Sequence, residues 1–160
     1  MALLNGTTGD DILNGTIASD SINGLAGNDM INGGGGLDTL SGDDGDDTFI
    51  VSVPLTNGTT LDGGLGTDTL QLLSSGGTLI NLVTGSRYAI SLTAATLASL
   101  ERVDFSSASG SGIIATVGWA QLGAGLSTTA ELVGGAGFDQ LSIALSTAGT
   151  YTVPNFALTN

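Results

Sequence analysis

The chain has 160 residues and a formal net charge of -13, with 13 Asp, two Glu, two Arg and no Lys, His or Cys. The length fits one domain with a buried core, and the shortage of basic residues argues against nucleic acid and anionic membranes as direct partners. Without Cys there are no disulfides or thiolate metal sites, and without His the commonest transition-metal ligand is missing, which leaves a hard cation bound by oxygen.

A nine-residue repeat begins at residue 6 and gives five contiguous copies. All copies share Gly at position one, Asp at position six and Leu, Ile or Phe at position eight, and all but one have Gly at position four. The copies are residues 6–14, 15–23, 24–32, 33–41 and 42–50, followed later by 63–71 and 134–142. A disordered acidic segment needs neither a fixed period nor a fixed apolar position, so we expect a folded repeat.

Each repeat predicts one short strand and one Gly-rich turn. The residues around position eight form the strand, and the central side chain points inward. Two repeats then complete one coil of 18 residues, and the turns of alternate repeats stack about 4.8 Å apart. We therefore predict a core that contains Leu13, Ile22, Ile31, Leu40 and Phe49.

This stacking predicts two ladders of carboxylates. Asp11, Asp29 and Asp47 form one ladder, and Asp20 and Asp38 form the other. Neighbouring carboxylates at this spacing repel by about 1 kcal/mol in bulk water and by about 3.5 kcal/mol at an effective dielectric near 20. A cation would offset the repulsion, and Ca²⁺ accepts roughly six to eight oxygens in irregular geometry.

Two later copies add candidate ligands. After a loop over residues 54–60, the copy at 63–71 resumes the roll, and its Asp68 extends one of the two ladders. The copy at 134–142 adds Asp139.

Residues 72–133 have a looser pattern of short β-rich runs with few charges. The segment TAATLASL (93–100) favours a helical turn or two. We expect irregular coils that continue the solenoid.

The nonapeptide resembles the calcium-binding repeat of the RTX family. The resemblance implies an all-β fold, a right-handed parallel β-roll in which several calcium ions lie between stacked turns. In that family the ligands are carbonyl oxygens of turn positions one to four and the sixth-position Asp. Transferred here, the resemblance implies three sites: Thr7, Gly9 and Asp11 with Gly24, Ala26 and Asp29; Leu25, Gly27 and Asp29 with Gly42, Asp44 and Asp47; and Thr16, Ala18 and Asp20 with Gly33, Gly35 and Asp38.

Five substitutions depart from the family pattern. Ala18 replaces a turn Gly, and the second Gly is replaced by Thr7, Thr16, Leu25 and Asp43. Their carbonyls remain, but left-handed backbone conformations become costlier for residues with a Cβ. The site that uses Ala18 is therefore the least regular.

The later half resembles the non-repetitive β-solenoids of RTX surface-layer and cell-surface proteins, on the segments SLERVDFSSASG and GGAGFDQLSI. We expect residues 1–71 to form the calcium-binding β-roll, and residues 72–160 to form an irregular β-solenoid continuation or cap packed on it, within a single domain.

Catalytic interpretations have little support. The run GGGG (33–36) is followed by no Lys, so a turn is favoured over a phosphate-binding loop. Glu101 and Asp104 would face opposite ways on a strand with Arg102 between them, which favours a surface ion pair over a glycosidase pair. No nucleophile and base pair is evident, so we expect no enzyme activity.

The aromatic residues Trp119, Tyr88 and Tyr151 could stack on sugars, although core or cap positions are commoner for such residues. The chain also resembles β-roll modules of alginate-modifying enzymes, which rely on basic residues that are scarce here. A carbohydrate-binding accessory module is therefore the alternative function.

The favoured function is a calcium-binding structural module of a secreted or cell-surface protein. We expect it to fold on binding Ca²⁺ and to assemble as a homo-oligomer, filament or surface layer. No apolar stretch approaches the roughly 18 residues that span a bilayer, so membrane insertion is not expected. The N-terminus lacks the pattern of a secretory signal, so we expect export by another route or a longer parent chain.

Overall fold

The computed structural model is all-β, and the residues that it describes contain no helix. The described residues are 1–51, 58–73, 78–82, 85–91, 95–104, 112–118, 126–133, 140–144 and 157–159. Their strands are β1 (Leu3–Asn5), β2 (Ile12–Asn14), β3 (Ser21–Ala26), β4 (Met30–Asn32), β5 (Thr39–Asp44), β6 (Thr48–Val51), β7 (Thr60–Leu65), β8 (Thr69–Leu72), β9 (Thr78–Leu82), β10 (Gly85–Ser91), β11 (Thr96–Ala98), β12 (Leu100–Asp104), β13 (Gly112–Gly118), β14 (Leu126–Val133), β15 (Gln140–Ala144) and β16 (Ala157–Thr159).

Two parallel sheets form the solenoid. One has the order β1-β3-β5-β7-β11, and the other has the order β16-β14-β12-β8-β6-β4-β2. From β1 to β8 the chain alternates between the sheets, so two successive strands complete one coil. Leu13 pairs with Ile31, which lies 18 residues further along. The predicted parallel β-solenoid, with alternate repeats stacked, is confirmed.

A third sheet follows the repeats, with the order β15-β13-β10-β9. Its β9 and β10 pair antiparallel, whereas β10, β13 and β15 pair parallel. The later strands therefore divide between continuation of the solenoid and this additional sheet.

The eighth-position side chains pack between the two sheets of the solenoid. Leu13 is 9% exposed, and the predicted core residues above it are at most 4% exposed. Burial of one such side chain contributes about 1.5–3 kcal/mol. Within each sheet these side chains stack in one column. Both columns continue in later coils with Leu61, Leu70, Leu97 and Val103.

One strand of the solenoid belongs to a coil that the nonapeptide pattern does not predict. Leu40 pairs with Leu61, which is 21 residues further along, so this coil is three residues longer than the one before it. Thr59 occupies the sixth position, where the other repeats have Asp. Because that Asp is missing, the repeat escapes the nonapeptide pattern.

The helical turn predicted in residues 93–100 is wrong. Thr96–Ala98 is strand β11, which pairs with β7. Leu97 is 4% exposed and lies in the same core column as Leu61. Packing in the solenoid therefore overrides the helix propensity of Ala and Leu.

Phe49 tests the core, because it is fully buried and pairs with Ile31 below and Leu70 above. We expect Phe49→Ala to lower the free energy of unfolding by about 3–5 kcal/mol, measured by urea denaturation in calcium. Leu65→Ala is the control, since Leu65 is 71% exposed and should change stability by less than about 0.5 kcal/mol. Equal losses in the two variants would contradict this packing.

Candidate metal centre

The Gly-rich turns lie along two edges of the solenoid. The turns 6–11, 24–29, 42–47 and 63–68 are called the first turn stack, and the turns 15–20 and 33–38 the second turn stack. Equivalent turn positions lie over one another, because the strand pairing of β3, β5 and β7 extends into the turns. Each stack therefore repeats the same carbonyls and carboxylates coil after coil.

The sixth-position carboxylates of the first turn stack form a continuous ladder. Each Asp amide N–H donates to the Oδ1 of the Asp one coil further along. The distances are 2.8 Å from Asp11 to Asp29, 2.8 Å from Asp29 to Asp47 and 2.9 Å from Asp47 to Asp68. The predicted ladder is confirmed, and Asp68 lies above Asp47.

The second turn stack has a shorter ladder. The Asp20 amide donates to Asp38 Oδ1 at 2.9 Å, and the Ala2 amide donates to Asp20 Oδ1 at 2.5 Å. Above Asp38 the acceptor is the Thr59 hydroxyl, at 3.4 Å. The ladder of the second turn stack therefore contains two aspartates, against four in the first.

Position five of the first turn stack carries a second ladder that runs the opposite way. The amides of Asn28, Asp46 and Thr67 donate to the fifth-position side chain one coil below, at 2.8–2.9 Å. Sequence reasoning missed this role, although Asp10, Asn28 and Asp46 stand at the same position of alternate repeats. Asp or Asn at this position was the available signal.

In the first two repeats a Thr at position two donates to the Oδ2 atom of the sixth-position Asp. Asp11 Oδ2 accepts the Thr7 amide at 2.6 Å and the Thr7 hydroxyl at 2.9 Å. Asp20 Oδ2 accepts the same groups of Thr16 at 2.6 and 2.8 Å. Hydrogen bonds from the Ala2 and Thr16 amides lower the pKa of the Asp20 carboxyl. These two carboxylates are stabilised within the protein.

The next three carboxylates of the first turn stack are different. The Oδ2 atoms of Asp29, Asp47 and Asp68 are buried and have no hydrogen-bond partner. These side chains are at most 2% exposed. A buried anionic oxygen without a partner is strongly unfavourable, so these positions require a proton or a cation.

Two of these oxygens lie beside a carbonyl of the next turn. A Cβ added to Gly24 would meet both Asp29 Oδ2 and the Gly42 carbonyl oxygen. A Cβ added to Gly42 would likewise meet Asp47 Oδ2 and the Gly63 carbonyl oxygen. The carboxylate oxygen carries negative charge and the carbonyl oxygen carries partial negative charge. Oxygen ligands of these two kinds fit Ca²⁺.

The backbone conformation at position two also differs between the turns that have Thr there and the turns that have Leu25 or Asp43. At position two, Leu25 has φ 82° and Asp43 has φ 71°, the left-handed conformation that is costly for residues with a Cβ. Thr7, Thr16 and Ala18 are not among the described residues with positive φ. The cost predicted for these residues therefore arises only at Leu25 and Asp43.

The predicted ligands lie in facing turns, except Asp139, which is outside the described residues. Two of the predicted carbonyls also accept hydrogen bonds between turns. Asp44 accepts the Gly27 amide at 2.9 Å, and Thr16 accepts the Gly35 amide at 2.9 Å. A carbonyl oxygen has a second lone pair that can still face an ion. The three ligand sets remain predictions.

In the part of the chain that the structure describes, no three acidic side chains form a metal-binding group. An ion in these stacks would therefore take most of its ligands from backbone carbonyls and water. The Gly-rich sequence of the turns suits this role, since it leaves room for an ion close to the backbone.

Burial raises the pKa of Asp29, Asp38 and Asp47, since desolvation disfavours the charged form. Burial also raises the pKa of Asp68 to about 6, where Asp47 and Glu101 add electrostatic repulsion. The charged forms of these carboxylates are thus disfavoured in the folded protein without a cation.

The other sequence candidates have different outcomes. Trp119 and Tyr151 lie outside the described residues, and Tyr88 is part of β10. Glu101, interpreted from sequence as half of a surface ion pair, accepts the Asp68 amide at 2.9 Å through Oε2. Sequence reasoning missed this contact because Glu101 belongs to no nonapeptide.

Comparison with known families decides the identity of the repeats. The RTX calcium-binding nonapeptide repeat profile, which spans four copies, matches residues 5–40 and 14–49. The N-terminal region consists of RTX calcium-binding repeats. Neither the curated proteins nor the solved structures gave a match to the chain.

RTX repeats form a structural calcium-binding fold and do not define an enzyme family. They identify the N-terminal region as a calcium-binding repeat module and are typical of secreted proteins. No helix among the described residues is long and apolar enough to cross a membrane.

The raised pKa values predict that acid stabilises the first turn stack in the absence of calcium. The pKa of Asp68 is about 6 in the folded protein against 3.8 for an unperturbed carboxyl, so the folded state binds the proton more tightly. Its stabilising effect is complete below about pH 3.8 and is lost as the pH rises through about 6. In chelator, we expect circular dichroism at a fixed temperature to show more folded β-structure at about pH 5 than at about pH 7.

With calcium present the direction should reverse, because protons compete with the ion for the same carboxylates. The calcium concentration at the folding midpoint should then be higher at the lower pH. A β-structure signal in chelator that stays constant or falls on acidification would contradict the first expectation.

Proposed function

We propose that the chain is a calcium-dependent structural module of a secreted or cell-surface protein, in which Ca²⁺ drives folding of the N-terminal repeats. The supporting observation is the set of buried, unpartnered Oδ2 atoms in the first turn stack. Without an ion, folding buries these oxygens uncompensated. With an ion, the binding free energy becomes folding free energy.

The proposed sites differ in how much they depend on the metal. The predicted site between turns 24–29 and 42–47 contains Asp29 Oδ2, for which the protein supplies no donor. The same arrangement recurs between turns 42–47 and 63–68, with Asp47 Oδ2. In the two predicted sites that start at Asp11 and Asp20, Thr already donates to the carboxylate. We expect the first two sites to contribute most to calcium-dependent folding.

An extracellular location suits such sites. Calcium modules outside the cell bind with dissociation constants of roughly 10⁻⁴–10⁻³ M, close to the calcium concentrations found there. A module with these affinities stays unfolded where calcium is scarce and folds where it is abundant.

We also propose that residues 1–71 and 72–160 form one domain. Strand β8 ends at Leu72 and pairs with β12, which in turn pairs with β14. A sheet that crosses the boundary favours a later half built directly on the roll.

The test of the proposed function compares the protein in calcium with the protein in excess chelator. We expect circular dichroism and amide exchange to show that residues 6–50 lose their protection in chelator, because the buried carboxylates then lack a counter-charge. Native protection of these residues in chelator would refute the proposal.

Two matched variants locate the effect. Asp29→Asn keeps the shape and the Oδ1 acceptor but removes the charge of an oxygen that has no protein donor. Asp20→Asn makes the same change where Thr16 already donates. Calorimetric calcium titration should show a larger loss for Asp29→Asn. Equal losses would mean that hydrogen bonding by Thr does not replace the metal.

Assembly is proposed at the N-terminal end of the solenoid. Strands β1 and β2 are the terminal strands of their sheets, and an open sheet edge can pair with another chain. Leu3 and Ile12 on these strands are 69% and 71% exposed. We expect the calcium-loaded protein to self-associate in light scattering, and Ile12→Lys to reduce this more than Leu65→Lys, whose site is equally exposed on a turn. A monomer at all calcium concentrations would refute end-to-end assembly.

A further inference from the structure

The layer above the last turn of the first turn stack is built by residues outside the nonapeptides. Ala98 pairs with Asp62 and Arg102 pairs with Thr69. By this register Ser99 lies above Gly63 and Glu101 lies above Asp68. Leu100 alone stands where the turn below has the four residues 64–67, so this layer is a shortened turn.

Glu101 takes the place of a ladder aspartate. Its Oε2 accepts the Asp68 amide at 2.9 Å, as Asp68 Oδ1 accepts the Asp47 amide one coil below at 2.9 Å. The ladder of the first turn stack therefore continues for one more coil, and its last carboxylate comes from a Glu.

The Ser99 carbonyl takes the place of a turn carbonyl. A Cβ added to Gly63 would meet the Ser99 carbonyl oxygen and Asp68 Oδ2, the same pair of groups that surrounds Gly24 and Gly42. Asp68 is fully buried, and its Oδ2 has no hydrogen-bond partner. An unpartnered carboxylate oxygen thus faces a carbonyl at this level too.

We propose that Asp68 of the last turn in the first turn stack, together with the Ser99 carbonyl and Glu101 from outside the nonapeptide repeats, forms an additional calcium site. This inference rests on the proposed function, since it assumes that the ion which occupies the turns below also occupies this layer. The two carboxylates supply the charge, and the carbonyl supplies a neutral oxygen, as Ca²⁺ prefers.

The shortened turn sets the properties of this site. Because a single residue separates Ser99 from Glu101, fewer carbonyls face the ion than between two full turns, and water completes its coordination. The site should therefore fill at higher calcium concentrations than the sites below it. Its ion would join the last RTX turn to β12, the strand through which the sheet continues toward β14 and β16.

Glu101→Gln is the decisive variant. The Gln side chain keeps an oxygen that accepts the Asp68 amide but loses the negative charge, so the hydrogen bond remains while the metal ligand is weakened. Native mass spectrometry in saturating calcium should count one ion fewer than in the unmodified protein. The matched control is Asp62→Asn, which removes the charge of an exposed carboxylate in β7 and should leave the count unchanged.

The outcomes separate this inference from the proposed function. If the unmodified protein binds no calcium, the proposed function fails. If it binds calcium and Glu101→Gln binds the same number of ions, only the additional site is refuted. If Glu101→Gln does not fold in calcium, amide exchange of the unmodified protein decides. Protection of residues 99–104 should rise at higher calcium concentrations than that of residues 24–47, and protection independent of calcium refutes the site.

Discussion

The structure depends on a buried aspartate whose two oxygens face different groups. In Asp29, Asp47 and Asp68 one oxygen accepts an amide from the coil below, and the other lies beside a carbonyl of the coil above without a donor. The first contact fixes the register of the coils. The second leaves a charge that the protein alone does not neutralise, so the stacking that orders the turns also creates the need for a cation.

The hydrophobic column and the carboxylate ladder belong to the same repeat and constrain each other. Position eight places Ile31, Phe49 and Leu70 over one another, and this spacing brings the position-six carboxylates close together. Apolar burial favours the stack and carboxylate repulsion opposes it at every coil. In the proposed function calcium removes the opposition without changing the core, so one short repeat would be both a folding unit and a metal-binding unit.

Much of this arrangement could be predicted from the sequence, because a strict period fixes both which residues stack and which point inward. The limits lie where the period breaks. Thr59 and Glu101 hold ladder positions, but neither is Asp, and the register that places them depends on sheet pairing across 21 and 33 residues. The difference between Thr7 and Leu25 at position two was equally hidden, since it depends on whether the backbone adopts positive φ.

The longer coil has a consequence for how such a chain can vary. The pairing register gains three residues between β6 and β7, yet the first turn stack keeps its ladder from Asp47 to Asp68 without interruption. The two edges are therefore independent in length. Residues can therefore be inserted at one edge of the solenoid while the opposite edge keeps an unbroken row of acidic turns.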